Sequence, residues 1–199
     1  MDPLLNDRRD SQLVNITAGH TPGRVVWLMG PTSSGKTTLA EYFLQQWRAQ
    51  GRKVIHYDGD EIREMFGYLH GFEAKDRLQV VSTLVKLANK IAAAGVLCVV
   101  SALTANRDAR EHVRSTIPSL LLGYTRCSID ECARRDPKGL YAQAKKGQIS
   151  TLIGWNEPYE PPENPDIILD TEIFQPNQLF AQIDTLVHRL ELGIPKESN

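Results

Sequence analysis

A chain of 199 residues can form one domain with a real core, and its 41% hydrophobic and 24% charged residues are ordinary globular usage. A net charge of −1 predicts no bulk attraction to nucleic acid or to an anionic membrane, and the longest apolar run, "GVLCVVSAL", is too short to span a bilayer. The opening "MDPLLNDRRDSQ" has no apolar signal segment, and Cys98, Cys127 and Cys132 lack metal-ligand spacing, so a cytoplasmic protein with buried free thiols is expected.

Residues 1–23 are polar and read as a loose lead-in to a domain over 24–192, with a short tail at 193–199. "RVVWLMG" reads as a buried strand and "GKTTLAEYFLQQWRAQG" as a helix with a glycine stop. "KVIHYDGD" is a second strand, and "KDRLQVVSTLVKLANKIAAAG" a long helix ending at Gly95. "VLCVVSAL" is a third strand, "RDAREHVRSTI" a helix, "SLLLGYTRCSI" a fourth strand and "DECARRD" a short helix. "DIILDT" and "NQLFAQIDTLVHRLEL" supply the last strand and helix. This alternation predicts an α/β domain: a parallel sheet of about five strands flanked by helices.

Between the fourth and fifth strands runs "RDPKGLYAQAKKGQISTLIGWNEPYEPPENP", Arg135 to Pro165. It is too polar and too punctuated by Gly and Pro for core, yet its Tyr, Trp and Leu-Ile exceed what a linker needs. Loops beyond the carboxyl ends of such strands carry ligands, so the segment is expected to lie over the site.

"GPTSSGKT" matches G-x-x-x-x-G-K-[ST] between a strand and a helix, the context that the phosphate-binding loop requires. The fold expected is therefore of the P-loop NTPase type. The ATP-binding set is Gly30, Pro31, Thr32, Ser33, Ser34, Gly35, Lys36, Thr37 and Thr38. Loop amides and the helix N-terminus attract phosphate oxygens, Lys36 reaches the β- and γ-phosphates, and Thr37 offers an oxygen to Mg²⁺. Asp58 and Asp60 end the second strand as candidates for holding metal-bound water or taking a hydroxyl proton. Asp60 is also placed to cap a helix over "EIREMF".

With "WLMGPTSSGKTTLA", "DGDEIR", "GFEAKDR", "SALTANRDAREHVR" and the jointed segment above, the chain resembles the adenylylsulfate kinase family over most of its length. The resemblance implies ATP and Mg²⁺ as cofactors and transfer of the γ-phosphate to the ribose 3′-hydroxyl of adenylylsulfate. It implies Lys36, Asp58 and Asp60 as catalytic residues, with Asp60 preferred as base, and Thr37 and Asp58 at the metal. It places Arg63 and Arg77 on the acceptor's phosphosulfate, Phe72 on its base, and Leu103, Thr104, Lys138 and Leu152 around it. Arg135 borders the ATP adenine, and the segment over about 135–165 is the lid. A small-molecule nucleotide is the expected partner, without nucleic acid or membrane, and a homodimer is what the family suggests.

The sequence departs from the family on the acceptor side. Val80 stands where the family has an acceptor-binding Asn, Ser82 and Thr83 replace Arg-Arg, and Ala105 replaces a Pro. Leu152 replaces the Phe that forms the second face of a sandwich around the acceptor base, with packing by Leu152, Ile153 or Trp155 as compensation. Ala142 and Gln143 replace lid lysines, while Lys145 and Lys146 are left to lend local positive charge. Two alternatives stay open: a kinase of the same fold for a related nucleotide such as cytidine diphosphate phosphoramidate, and a nucleotide sensor without turnover. Thr104 also admits two readings, a hydroxyl contact in the acceptor pocket or a phosphorylation site.

Overall fold

The computed structural model describes residues 23–66 and 73–193. Phe72, most of the lead-in and nearly all of the tail lie outside these residues.

Five strands form one parallel sheet in the order β2-β3-β1-β4-β5. They are β1 Val25–Met29, β2 Val54–Asp58, β3 Leu97–Ala102, β4 Leu120–Arg126 and β5 Ile167–Asp170. The helices are α1 Lys36–Ala49, α2 Gly59–Met65, α3 Ala74–Ala93, α4 Arg107–Thr116, α5 Ile129–Arg135, α6 Leu140–Lys145 and α7 Pro176–Glu191. A parallel sheet covered on both faces needs strands that are apolar throughout. β1 meets this need, with every residue buried. Alternate side chains go to opposite faces: Val25, Trp27 and Met29 pack under α3 and α4, and Val26 and Leu28 pack under α1 and α7.

The predicted strands and long helices are all present. The long helix stops at Ala93, and Gly95 takes the left-handed turn beyond it with φ 74°. Asp60 does not cap α2. Asp58 does, its side chain accepting the Asp60 amide, and Asp60 lies within the helix. The carboxylate two residues back is the one in extended backbone, which a cap requires.

The segment expected to be too polar for core also differs. It contains α6, and its Tyr141, Ala144 and Leu152 build a third buried cluster with Cys127 and Cys132. Spacing hid this, because the apolar residues are few and drawn from several turns. The three cysteines are buried and unpaired, as expected. Among the described residues, no helix is long and apolar enough to cross a membrane.

Candidate active site

The sheet's carboxyl edge opens into a cleft of about 1240 Å³. One wall is the loop between β1 and α1. Gly35, at φ 90°, takes a left-handed conformation that a side chain would strain, and Ser33 is also left-handed at φ 64°. Alternating conformations of this kind turn successive amides inward to form an anion cradle. No side chain caps α1 and its first turn holds no acid, so its terminal N–H groups are left for a ligand.

Thr32, Ser33, Gly35, Lys36, Thr37 and Thr38 line the cleft. Gly30, Pro31 and Ser34 stand behind it. A Cβ on Gly30 would sit 2.5 Å from the Thr125 carbonyl, so only glycine lets the loop pack this closely on β4. Ser34 is fully buried, and the Pro31 carbonyl accepts from Lys36 Nζ at 2.7 Å. Burial pushes the Lys36 ammonium down from 10.5 to about 8, against the pull of Asp60 and Asp58.

Asp58 is 6% exposed and fully bonded: Oδ2 accepts from Thr37 Oγ1 at 2.7 Å and from Ser101 Oγ at 2.6 Å, and Oδ1 from the Asp60 amide at 2.8 Å. Burial alone would raise its pKa, but the Ser101, Thr37 and Asp60 bonds outweigh it and hold the carboxyl below its ordinary value. Asp58 is therefore ionised at neutral pH, and Thr37, whose hydroxyl hydrogen points at Asp58, keeps its oxygen lone pairs for a cation. No group of three or more acidic, His or Cys side chains that could hold a metal occurs among the described residues. One hydroxyl beside one carboxylate suits Mg²⁺, which binds through few protein ligands, phosphate and water.

Asp60 projects into the cleft and accepts from Lys138 Nζ at 2.6 Å. The lid sequence "DPKGLY" explains how Lys138 is placed. The Asp136 carboxylate accepts the amides of Tyr141 and Ala142 at the start of α6, Gly139 turns left-handed at φ 68°, and Lys138 is held between them. Tyr141 is fully buried, and its Oη donates to the Thr32 carbonyl at 3.1 Å. The lid is thus bonded to the phosphate loop itself.

Arg135 Nη2 donates to the Thr171 carbonyl at 2.7 Å, and Thr171 Oγ1 donates to the Ser34 carbonyl at 2.7 Å. Phe174, Gln175 and Pro176 extend this end of the cleft. At the other end stand Arg63, Arg77, Leu103, Thr104 and Leu152. Arg77 Nη2 donates to the Thr151 carbonyl at 2.8 Å, so one candidate acceptor arginine also fastens the lid to α3. The Thr104 hydroxyl is turned inward. It accepts from Trp27 Nε1 at 3.0 Å, and the residue is 3% exposed.

Val80, Val81, Leu152 and Ile153 contribute buried apolar side chains to the lining of the cleft. Trp155 is not part of it. Its ring packs edge-on to Tyr141 with Lys145 Nζ 5.1 Å above it, so neither Trp155 nor Lys145 faces the cleft, and Lys146 is likewise outside its lining. Of the expected site residues among those described, the structure brings all but the three at the back of the loop onto one cleft. Sequence reasoning missed Tyr141, Thr171, Phe174, Val81 and Ser101 as site-building residues. The D-P-K-G-L-Y run was the available signal for Tyr141.

Residues 22–170 match the family model described as adenylylsulphate kinase. A probable adenylyl-sulfate kinase of Archaeoglobus fulgidus is 35% identical over 148 residues, which are 74% of this chain and 96% of that protein. One of Aeropyrum pernix is 39% identical over 155 residues, 75% of this chain and 84% of that protein. The solved Mycobacterium tuberculosis APS kinase CysC in complex with AMPPNP and APS has a TM-score of 0.78 and 30% identity, covering 83% of this chain and 98% of that one. Each match spans most of both chains, so the likeness is one of whole domains.

Proposed function

Because the chain belongs to the adenylylsulphate kinase family and is thus a phosphotransferase with an alcohol acceptor, we propose that its reaction is transfer of the ATP γ-phosphate to the ribose 3′-hydroxyl of adenylylsulfate. The products are 3′-phosphoadenylylsulfate and ADP. The observation that carries this reading is the pair of adjacent carboxylates: Asp58 bonded to Thr37 of the phosphate loop, and Asp60 held at the cleft surface by Lys138.

In this reading the cradle amides and Lys36 take the donor phosphates, which lets Lys36 exchange the Pro31 carbonyl for a phosphate oxygen. Thr37 Oγ1, and Asp58 through water, would hold Mg²⁺, which would supply charge neutralisation for the transferring group. Arg135 and Phe174 border the ATP base. Asp60 orients the acceptor hydroxyl and takes its proton, while Lys138 keeps Asp60 in place and Arg63 and Arg77 hold the acceptor's anionic chain. The lid, seated on the loop through Tyr141, excludes water from the phosphoryl group.

The test is steady-state ADP release with Mg-ATP, with and without micromolar adenylylsulfate. Strong, saturable stimulation is expected; background release alone would sink the reading. A second acceptor is worth running in the same assay, because the wall of Val80, Val81, Leu152 and Ile153 presents apolar side chains where a base would be read. Such a wall would recognise a base by packing, which does not by itself distinguish adenine from cytosine, so cytidine diphosphate phosphoramidate is the second acceptor to run.

A further inference from the structure

Beneath the phosphate loop, four side chains form one hydrogen-bonded row. His56 Nε2 lies 2.9 Å from Ser101 Oγ, Ser101 Oγ donates to Asp58 Oδ2 at 2.6 Å, and Thr37 Oγ1 donates to the same oxygen at 2.7 Å. Strand register builds the row. Asp58 pairs with Ser101 across the β2–β3 ladder, and His56, two residues before Asp58, shares its face. The neighbours on that face, Val54, Leu97 and Val99, are apolar and pack in the cluster under α1. A polar row here is therefore a departure from the strand pattern, and its end lies at the nucleotide cleft.

Counting protons assigns each bond a direction. Ionised Asp58 offers acceptors only, so Ser101 spends its one proton on it. The Ser101 oxygen must then accept from the imidazole, so in the neutral ring the proton sits on Nε2 and Nδ1 is bare.

We propose that His56 is a positioning residue for the metal–nucleotide site: its Nε2–H holds the Ser101 hydroxyl in the rotamer that donates to Asp58, and so fixes the carboxylate that orders Thr37. Ser101 is 2% exposed, so this rotamer is set by its two partners and not by water. The inference rests on the reading of Thr37 and Asp58 as the Mg-nucleotide end of the cleft.

Calorimetric titration with a non-hydrolysable ATP analogue, once in Mg²⁺ and once in EDTA, tests it. His56→Ala and Ser101→Ala are each expected to weaken binding in Mg²⁺ by about three- to tenfold, the worth of one hydrogen bond, and to leave binding in EDTA unchanged. The double variant should lose no more than either single one, since both break the same row. His56→Gln, which keeps an N–H donor, should recover part of the loss. Independently of any variant, ¹⁵N chemical shifts of the wild-type ring should show a protonated Nε2 and a bare Nδ1. Wild-type affinity in His56→Ala, equal losses in Mg²⁺ and EDTA, additive losses, or the opposite tautomer would overturn the proposal. Thr37→Ala serves as the control. If it keeps the wild-type Mg²⁺ advantage, the metal reading itself fails; if it loses that advantage while His56→Ala keeps it, only the role of His56 fails.

Discussion

Lys138 of the lid donates to Asp60 of α2 across 2.6 Å, although the two residues are 78 positions apart in sequence. The hydrogen bond to Asp60 raises the Lys138 pKa above its ordinary value, overcoming partial burial, so the ammonium stays charged throughout the neutral range. The lid therefore contacts the very carboxylate that the proposed mechanism uses as base.

Asp60→Ala should lower turnover by about a hundredfold or more, the usual cost of removing a general base, while Mg-ATP affinity stays near that of the wild type. ADP release and calorimetry on the same preparation separate the two effects. Near-normal turnover would refute the role. Lys36→Ala should abolish turnover with every acceptor; residual ATP binding without any turnover in the wild type would instead favour a sensor.

Tyr141 ties the lid to the phosphate loop by one hydrogen bond and by buried ring area. Tyr141→Phe should cost about 0.5–1.5 kcal/mol, and Tyr141→Ala about 3–5 kcal/mol, because the second also leaves a cavity in the satellite cluster. Urea denaturation measures both, and equal losses in the two variants would show that the ring does not pack as described.

On the proposed reading, the apolar wall meets the acceptor base. Val80→Asn combined with Leu152→Phe should tighten adenylylsulfate by about tenfold or more, since a stacked base contributes about 1–3 kcal/mol and a hydrogen bond about 0.5–1.5 kcal/mol. The KM for adenylylsulfate is the readout. An unchanged KM would mean that this wall does not meet the base.

Two residues with depressed pKa values should each make stability rise with pH, in separate windows. Hydrogen bonds from Arg134 and then Arg135 hold the Glu131 carboxyl down from 4.5 to about 2. Its contribution is present above pH 4.5 and is lost as pH falls toward 2, so the stability gap between wild type and Glu131→Gln should shrink over that window. Lys36 has the same sign in a higher window, but there the fold favours the neutral form and not the charged one. Its folded pKa of about 8 lies below the ordinary 10.5, so between these values the unfolded chain binds more protons and stability rises with pH. Lys36→Met should lack that rise in a series of urea titrations from pH 8 to 10.5.

The sequence by itself determined the β1–loop–α1 unit, the alternation of strands and helices, and the identity of Lys36, Thr37, Asp58 and Asp60. Each is a short-range pattern: a period of two or of 3.6, a glycine at a left-handed turn, acids at a strand end. The acceptor-side substitutions at Val80 and Leu152 were legible too, because the surrounding motif gives their place. Only the tertiary structure decided which of the two Asp residues caps α2, that Tyr141 is core, that Thr104 turns its hydroxyl to Trp27, and that His56 and Ser101 stand in line behind Asp58. Those facts rest on contacts between residues far apart in the chain, such as Thr32 with Tyr141 at a separation of 109 and Ser34 with Thr171 at 137. Local propensity carries no information about which distant polar group will arrive as a partner. Strand order and register supply it, and they settle only when both faces of the sheet are packed.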